Sequence, residues 1–244
     1  MKKVSIKKTI ASLSIFTTIA FNSYIPTSLA CTRVLYTGKG SIVMTGRTTD
    51  WASDINTNIW AFPRGMHRNG SAGEGSIEWT SKYGSVVTAV VDVLPIDGMN
   101  EKGLVVNMLH LKESKYLKPL KNDLRKPLSI SMWAQYVLDN FATVNEAVNA
   151  LSKEPFYIAT IKNDDGTGTG LHLAISDPKG DSAIFEYIDG KLKIHHGKEY
   201  KVLTNSPEFD KQLAINQYWQ ERASIIFPGT NNASDRFARS SYYI

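Results

Sequence analysis

Short β-branched runs separated by glycine-bearing turns recur from residue 31 to residue 207, interrupted once by a helical stretch, and this order restricts the architecture more than any other feature. CTRVLYT and SIVMTGR flank Gly38-Lys39-Gly40 and predict a β-hairpin. SVVTAVVDV (85–93) and GLVVNMLHL (103–111) predict two strands, with Asp97-Gly98 and Lys102-Gly103 as turn residues between them. Residues 64–76, polar and glycine-bearing, and residues 112–127, lysine-rich, read as loops. SISMWAQYVLDNFATVNEAVNALSKE carries two helical patterns, with Thr143 as N-cap of the second and Glu146 completing a capping box. Beyond a Gly/Asp-rich link at 164–170, LHLAISD, SAIFEYID and KLKIHHG form a meander divided by Pro178-Lys179-Gly180 and Asp189-Gly190. KVLTNSP predicts a short strand and PEFDKQLAINQYWQERAS a helix. Strands, then helices, then strands predict an α+β domain built on antiparallel sheets rather than a parallel βαβ fold.

The first thirty residues follow another logic. MKKVSIKK is a charged n-region, TIASLSIFTTIAF is an apolar stretch too short to span a bilayer, and SYIPTSLA follows. Ser28 and Ala30 satisfy the small-x-small rule, so residues 1–30 read as a signal peptide cut between Ala30 and Cys31. The remaining domain, 31–244, has no run of about 18 apolar residues and predicts no stable membrane insertion. The formal charge of +5 includes Lys2, Lys3, Lys7 and Lys8 of this leader, whose removal leaves +1. The basic balance therefore belongs to the leader, and no nucleic-acid surface is expected.

Cys31 is the only cysteine, so an internal disulfide is excluded, and it stands at the predicted cut. Two chemistries use such an address. A lipoprotein cysteine carries a thioether-linked lipid, but the leucine expected three residues before it is Ser28 here, with Leu29 one step late. The other chemistry is an N-terminal nucleophile, in which one residue supplies both a thiol and a free α-amine. A free thiol titrates near ~8.5 and an α-amine near ~7.7–8.0, close enough for the amine to serve as base, directly or through one water. Nearby cations would favour the thiolate, and polar donors are needed where the carbonyl oxygen becomes negative.

Five motifs occur in order: Cys31 in CTRVLYTGKG, GRTTDW at 46–51, DGMNEKGL at 97–104, LTNSPEFD at 203–210 and ASDRF at 233–237. By these the chain resembles the choloylglycine hydrolase family of linear-amide C–N hydrolases, which includes bile salt hydrolases and penicillin V acylases within the N-terminal nucleophile superfamily. The resemblance implies a four-layer αββα sandwich, no cofactor, a small-molecule acyl amide as substrate and a periplasmic or secreted location. A homo-oligomer is compatible with it, since relatives form tetramers. It assigns Cys31 as nucleophile and its own α-amine as base. Arg47 would stand beside the thiol, Asp50 would hold the α-amine, Asn205 would donate to the oxyanion, and Arg236 would add positive charge. Asn100 is expected to shape a turn.

Two departures stand out. Ten residues after Asn100 the family carries Asn or Tyr near the oxyanion hole, where this chain has His110, itself able to donate a hydrogen bond. The family also continues for some 80 or more residues past the ASDRF motif, which predicts a domain incomplete at its C-terminus with exposed sheet edges. Other classes lack support: HExxH, paired CxxC, P-loop and GxSxG motifs are missing from the sequence. His195-His196 would point to opposite faces of a strand, so no metal site is expected there. Trp51, Trp60, Trp79 and Trp133 are expected in the core or in a pocket wall.

Overall fold

The strand Leu171–Ser176 is buried at every position, so its sheet is covered on both faces. Alternation sorts the two sides: Leu171, Leu173 and Ile175 join one apolar core, whereas Ala174 joins another. The computed structural model describes residues 30–51, 54–117, 119, 122–160, 168–222 and 226–244. The expected leader lies outside the described residues except for Ala30, and most of the 164–170 link does too.

In chain order the strands are β1 (Ala30–Thr37), β2 (Val43–Asp50), β3 (Thr57–Phe62), β4 (His67–Asn69), β5 (Glu78–Thr80), β6 (Ser85–Val90), β7 (Leu94–Asn100) and β8 (Val105–His110). There follow β9 (Lys126–Ser129), the helices α1 (Trp133–Asn140) and α2 (Val144–Leu151), β10 (Phe156–Ala159), β11 (Leu171–Ser176), β12 (Ser182–Ile188), β13 (Lys191–His196) and β14 (Val202–Leu203). Two further helices, α3 (Phe209–Gln220) and α4 (Ala233–Tyr243), complete the described chain. One sheet has the order β13-β12-β11-β8-β7-β6-β3, and a smaller one has β14-β1-β2. All pairings within both are antiparallel. The chain is thus α+β with antiparallel sheets, as expected.

The larger core lies between the seven-stranded sheet and α1 and α2, which contribute Trp133, Val137, Leu138, Val144, Ala147 and Leu151. The second core brings Leu109, Ala174 and Ile184 of that sheet against Cys31, Val202 and Leu203 of the small sheet, with Phe209 of α3 and Phe237 of α4. The stacking is helices, sheet, sheet, helices: the αββα sandwich. Thr143 caps α2 as expected, its Oγ1 accepting the Glu146 N–H at 3.2 Å. Trp79 and Trp133 are buried, whereas Trp51 and Trp60 are half exposed. Among the described residues no helix is long and apolar enough to cross a membrane.

Several expectations change. Asp97-Gly98 is not a turn but lies inside β7. The turn sits earlier, at residues 91–93, where Val91 and Asp92 adopt left-handed backbone and end β6 at Val90. Gly98 is needed for closeness: a Cβ there would meet Val87 Cγ1 at 2.7 Å and Leu138 Cδ1 at 2.8 Å. Lys102-Gly103 does turn the chain, with Gly103 at φ 80° and Asn100 Oδ1 accepting the Lys102 and Leu104 N–H groups at 3.0 and 3.1 Å. The stretch 64–76 contains β4, which pairs with β5 as a small hairpin. KVLTNSP pairs only at Val202–Leu203.

Candidate active site

Two hairpin strands bring the first pair together. Cys31 stands near the start of β1, directly opposite Thr49, and Arg47 lies two residues from Thr49 on the same inward face of β2. The thiol is buried, and Arg47 Nη2 donates towards its Sγ at 3.5 Å. The same Nη2 donates to the Met108 carbonyl at 2.9 Å, while Nη1 pairs with the Asp97 carboxylate. Asp97 Oδ1 accepts from Asn107 Nδ2 at 2.8 Å. A cation rooted in the small sheet is therefore anchored by groups of β7 and β8 in the large one.

Two later segments close the site from the other side. Asn205, just after β14, accepts the Cys31 N–H on Oδ1 at 2.7 Å and donates from Nδ2 to the His110 carbonyl at 2.9 Å. Arg236 of α4 donates from Nη1 to the Cys31 carbonyl and to Thr32 Oγ1, each at 2.6 Å. Its Nη2 reaches Asn205 Oδ1 at 2.9 Å. Burial lowers the Arg236 guanidinium from its usual value, and the nearby Cys31 and Asp50 pull it back up.

The Asn205 peptide is itself held from below. Gln212 of α3 donates to the Asn205 and Pro207 carbonyls. His172 Nε2 lies 2.9 Å from the Thr204 carbonyl, which can only accept, so Nε2 carries the proton. His172 Nδ1 faces Glu186 Oε1 at 2.8 Å, and Glu186 also accepts the N–H that begins α3 at Phe209. His172, Glu186 and Gln212 are fully buried.

The sequence profile of the linear amide C-N hydrolases, choloylglycine hydrolase family, matches residues 31–244. The chain belongs to the choloylglycine hydrolase family. It is 48% identical to a penicillin V acylase from Pectobacterium atrosepticum over 98% of this chain and 65% of that protein. A bile salt hydrolase/transferase from Clostridium perfringens is 31% identical over 77% of this chain and 57% of its own. Among solved structures, the penicillin V acylase from Agrobacterium tumefaciens superposes with a TM-score of 0.79 and 56% identity, covering 87% of this chain and 64% of that one. A conjugated bile acid hydrolase from Clostridium perfringens gives 0.73 at 27% identity, covering 87% of this chain and 71% of that one. The chain thus spans less than two thirds of the length of the two curated relatives.

Within this choloylglycine hydrolase scaffold Cys31, Arg47, Asn205 and Arg236 converge. Asp50 sits opposite Ala30 at the exposed end of β2, close enough to Arg236 to interact electrostatically. The Cys31 nitrogen, here a peptide N–H that follows Ala30, has Asn205 rather than Asp50 as its partner. His110 contributes its carbonyl to Asn205, while its half-buried ring meets Trp51 edge-on at 6.3 Å. Burial, then repulsion from His172, lowers the His110 imidazole from its usual value against an opposing pull from Glu113. His195 packs on Tyr200 and Phe209, whereas His196 pairs with Asp181, so the two point apart.

Sequence reasoning missed Asp97, Asn107 and the Met108 carbonyl, because Asp97-Gly98 resembled a turn. A cavity of about 920 Å³ opens beside Arg47 and Asp97, walled by apolar Met44, Ile59, Val87, Ile96 and Met99. Cys31 does not line it; Arg47 links the two.

Proposed function

We propose that the protein is an exported cysteine N-terminal nucleophile amidohydrolase that cleaves the C–N bond of a linear carboxamide. Signal peptidase would remove residues 1–30, turning the Cys31 nitrogen from an amide into a basic amine. That amine takes the Sγ proton, and the thiolate adds to the substrate carbonyl carbon. The remaining N–H of the Asn205 side chain would donate to the oxyanion, since its other one is used on His110. Collapse breaks the C–N bond, the α-ammonium returns the proton to the leaving amine, and a thioester remains on Cys31. Water then attacks the thioester, releasing the carboxylic acid and restoring the thiol.

The observation that carries this reading is that Arg47 meets the sulfur of Cys31 while Asn205 meets its nitrogen. The apolar cavity beside Arg47 suits an acyl group. The identity to a penicillin V acylase over nearly the whole chain favours penicillin V-type or other N-acyl amides ahead of bile salts. The test pairs intact mass of the exported protein with turnover of an acyl-amide panel. A chain beginning at unmodified Cys31 that releases free amine, with release lost in Cys31→Ala, is expected. A lipidated sulfur, a different first residue, or turnover unchanged in Cys31→Ala would overturn the reading.

A further inference from the structure

The contact between Arg47 and Cys31 depends on groups that belong to neither hairpin strand. A guanidinium on a long side chain, standing at the wall of a cavity of about 920 Å³, has many places to point. Here two acceptors on the opposite sheet fix it: the Asp97 carboxylate on Nη1 and the Met108 carbonyl on Nη2. The carboxylate is fixed in turn by Asn107 Nδ2 at 2.8 Å, with Thr88 Oγ1 at 3.5 Å. Asn107 and Met108 are neighbours on β8, so one strand sets both the carboxylate and the carbonyl.

From this geometry we propose that Asp97 is a positioning residue for the thiol chemistry, holding Arg47 against Cys31 Sγ, with Asn107 fixing the carboxylate. The proposal rests on Cys31 being the nucleophile and deepens that reading. Two electrostatic effects of Asp97 oppose each other. Its own negative charge disfavours a thiolate; its grip on Arg47 brings a positive charge to the sulfur. The guanidinium touches Sγ, whereas the carboxylate reaches the sulfur only through the guanidinium, so the nearer cation dominates. Removing Asp97 therefore costs thiolate, although it removes a negative charge.

That opposition makes the sign of the effect diagnostic. Cys31 is the only cysteine, so alkylation of the purified exported protein by iodoacetamide, followed by intact mass across a pH series, reads this thiol alone. Asp97→Asn is expected to slow alkylation at neutral pH about tenfold, the scale of one lost charge-assisted contact, and to move the profile to higher pH. Asn107→Leu, which keeps the charge and frees the carboxylate, is expected to move the profile the same way by less. In an Arg47→Met background Asp97→Asn should add nothing. A profile unmoved or moved to lower pH in Asp97→Asn, or an equal shift without Arg47, would overturn the proposal. Should Asp97→Asn fail to fold, an unmoved profile in Asn107→Leu overturns it equally. An intact shift without amide turnover sinks the hydrolase reading alone, whereas turnover without any shift sinks the role of Asp97 alone.

Discussion

Asn205 Oδ1 accepts the Cys31 N–H at 2.7 Å, joining residues 174 positions apart. The same side chain donates to the His110 carbonyl and accepts from Arg236, so one amide ties β1, β8 and α4 together at Cys31. Its two functions can be separated. Asn205→Ala removes acceptor and donor, whereas Asn205→Asp keeps the acceptor for Cys31 and Arg236 and loses the donor. If donation to the oxyanion is what counts, both variants should lose about 10²–10³ in kcat. Steady-state kinetics on the best panel substrate check this, and near-normal kcat in Asn205→Asp would assign Asn205 to holding the nitrogen alone.

Gly98 serves close packing inside a strand rather than a turn. In β7 it faces Leu138 of α1 and Val87 of β6, with no room for a methyl group. Gly98→Ala is expected to destabilise the fold by about 1–3 kcal/mol, the usual cost of overpacking a core. Urea unfolding measures it. A stability equal to wild type would mean that α1 moves freely over β7.

Gly98 also shows where local sequence stops encoding structure. The β1–β2 hairpin and the β11–β13 meander could be read because turn residues bracket their apolar runs, and α2 because Thr143 and Glu146 mark its start. β3 could not: as the edge of the large sheet it is exposed almost throughout, with Ile59 at 75% exposure, so its sequence TNIWAF shows no buried face. β9 and β10 are four residues each and pair in parallel, below the length at which a period is visible. In the site, Cys31 and Arg47 lie on one hairpin, whereas the partners that aim Arg47 sit on the other sheet. No local pattern encodes a contact between sheets.

His110 gives the fold a pH dependence. Burial, with repulsion from His172, holds its folded pKa below the ordinary value. The unfolded chain then binds more protons in the interval between the two values, so stability rises with pH through that interval. The contribution is present above about pH 6.5 and is lost as pH falls through the lowered folded value. Wild type should therefore lose more stability between about pH 7 and about pH 5 than His110→Asn. Urea midpoints across that range test it, and parallel curves for the two proteins would contradict it.

Glu186 supports the Asn205 loop from full burial, where any unpaired group is costly. Its carboxylate serves both His172 Nδ1 and the Phe209 N–H. Glu186→Ala orphans both and is expected to cost about 3–5 kcal/mol, as when one partner of a buried pair is deleted. Glu186→Gln has a satisfied alternative. Its oxygen can accept from Phe209, and its NH₂ can donate to Nδ1 of a neutral His172 whose Nε2–H still serves Thr204. That variant should lose only about 1–2 kcal/mol. Denaturant unfolding of the pair settles the order. Equal losses would show that the negative charge itself, rather than the hydrogen bonds, holds the loop that carries Asn205.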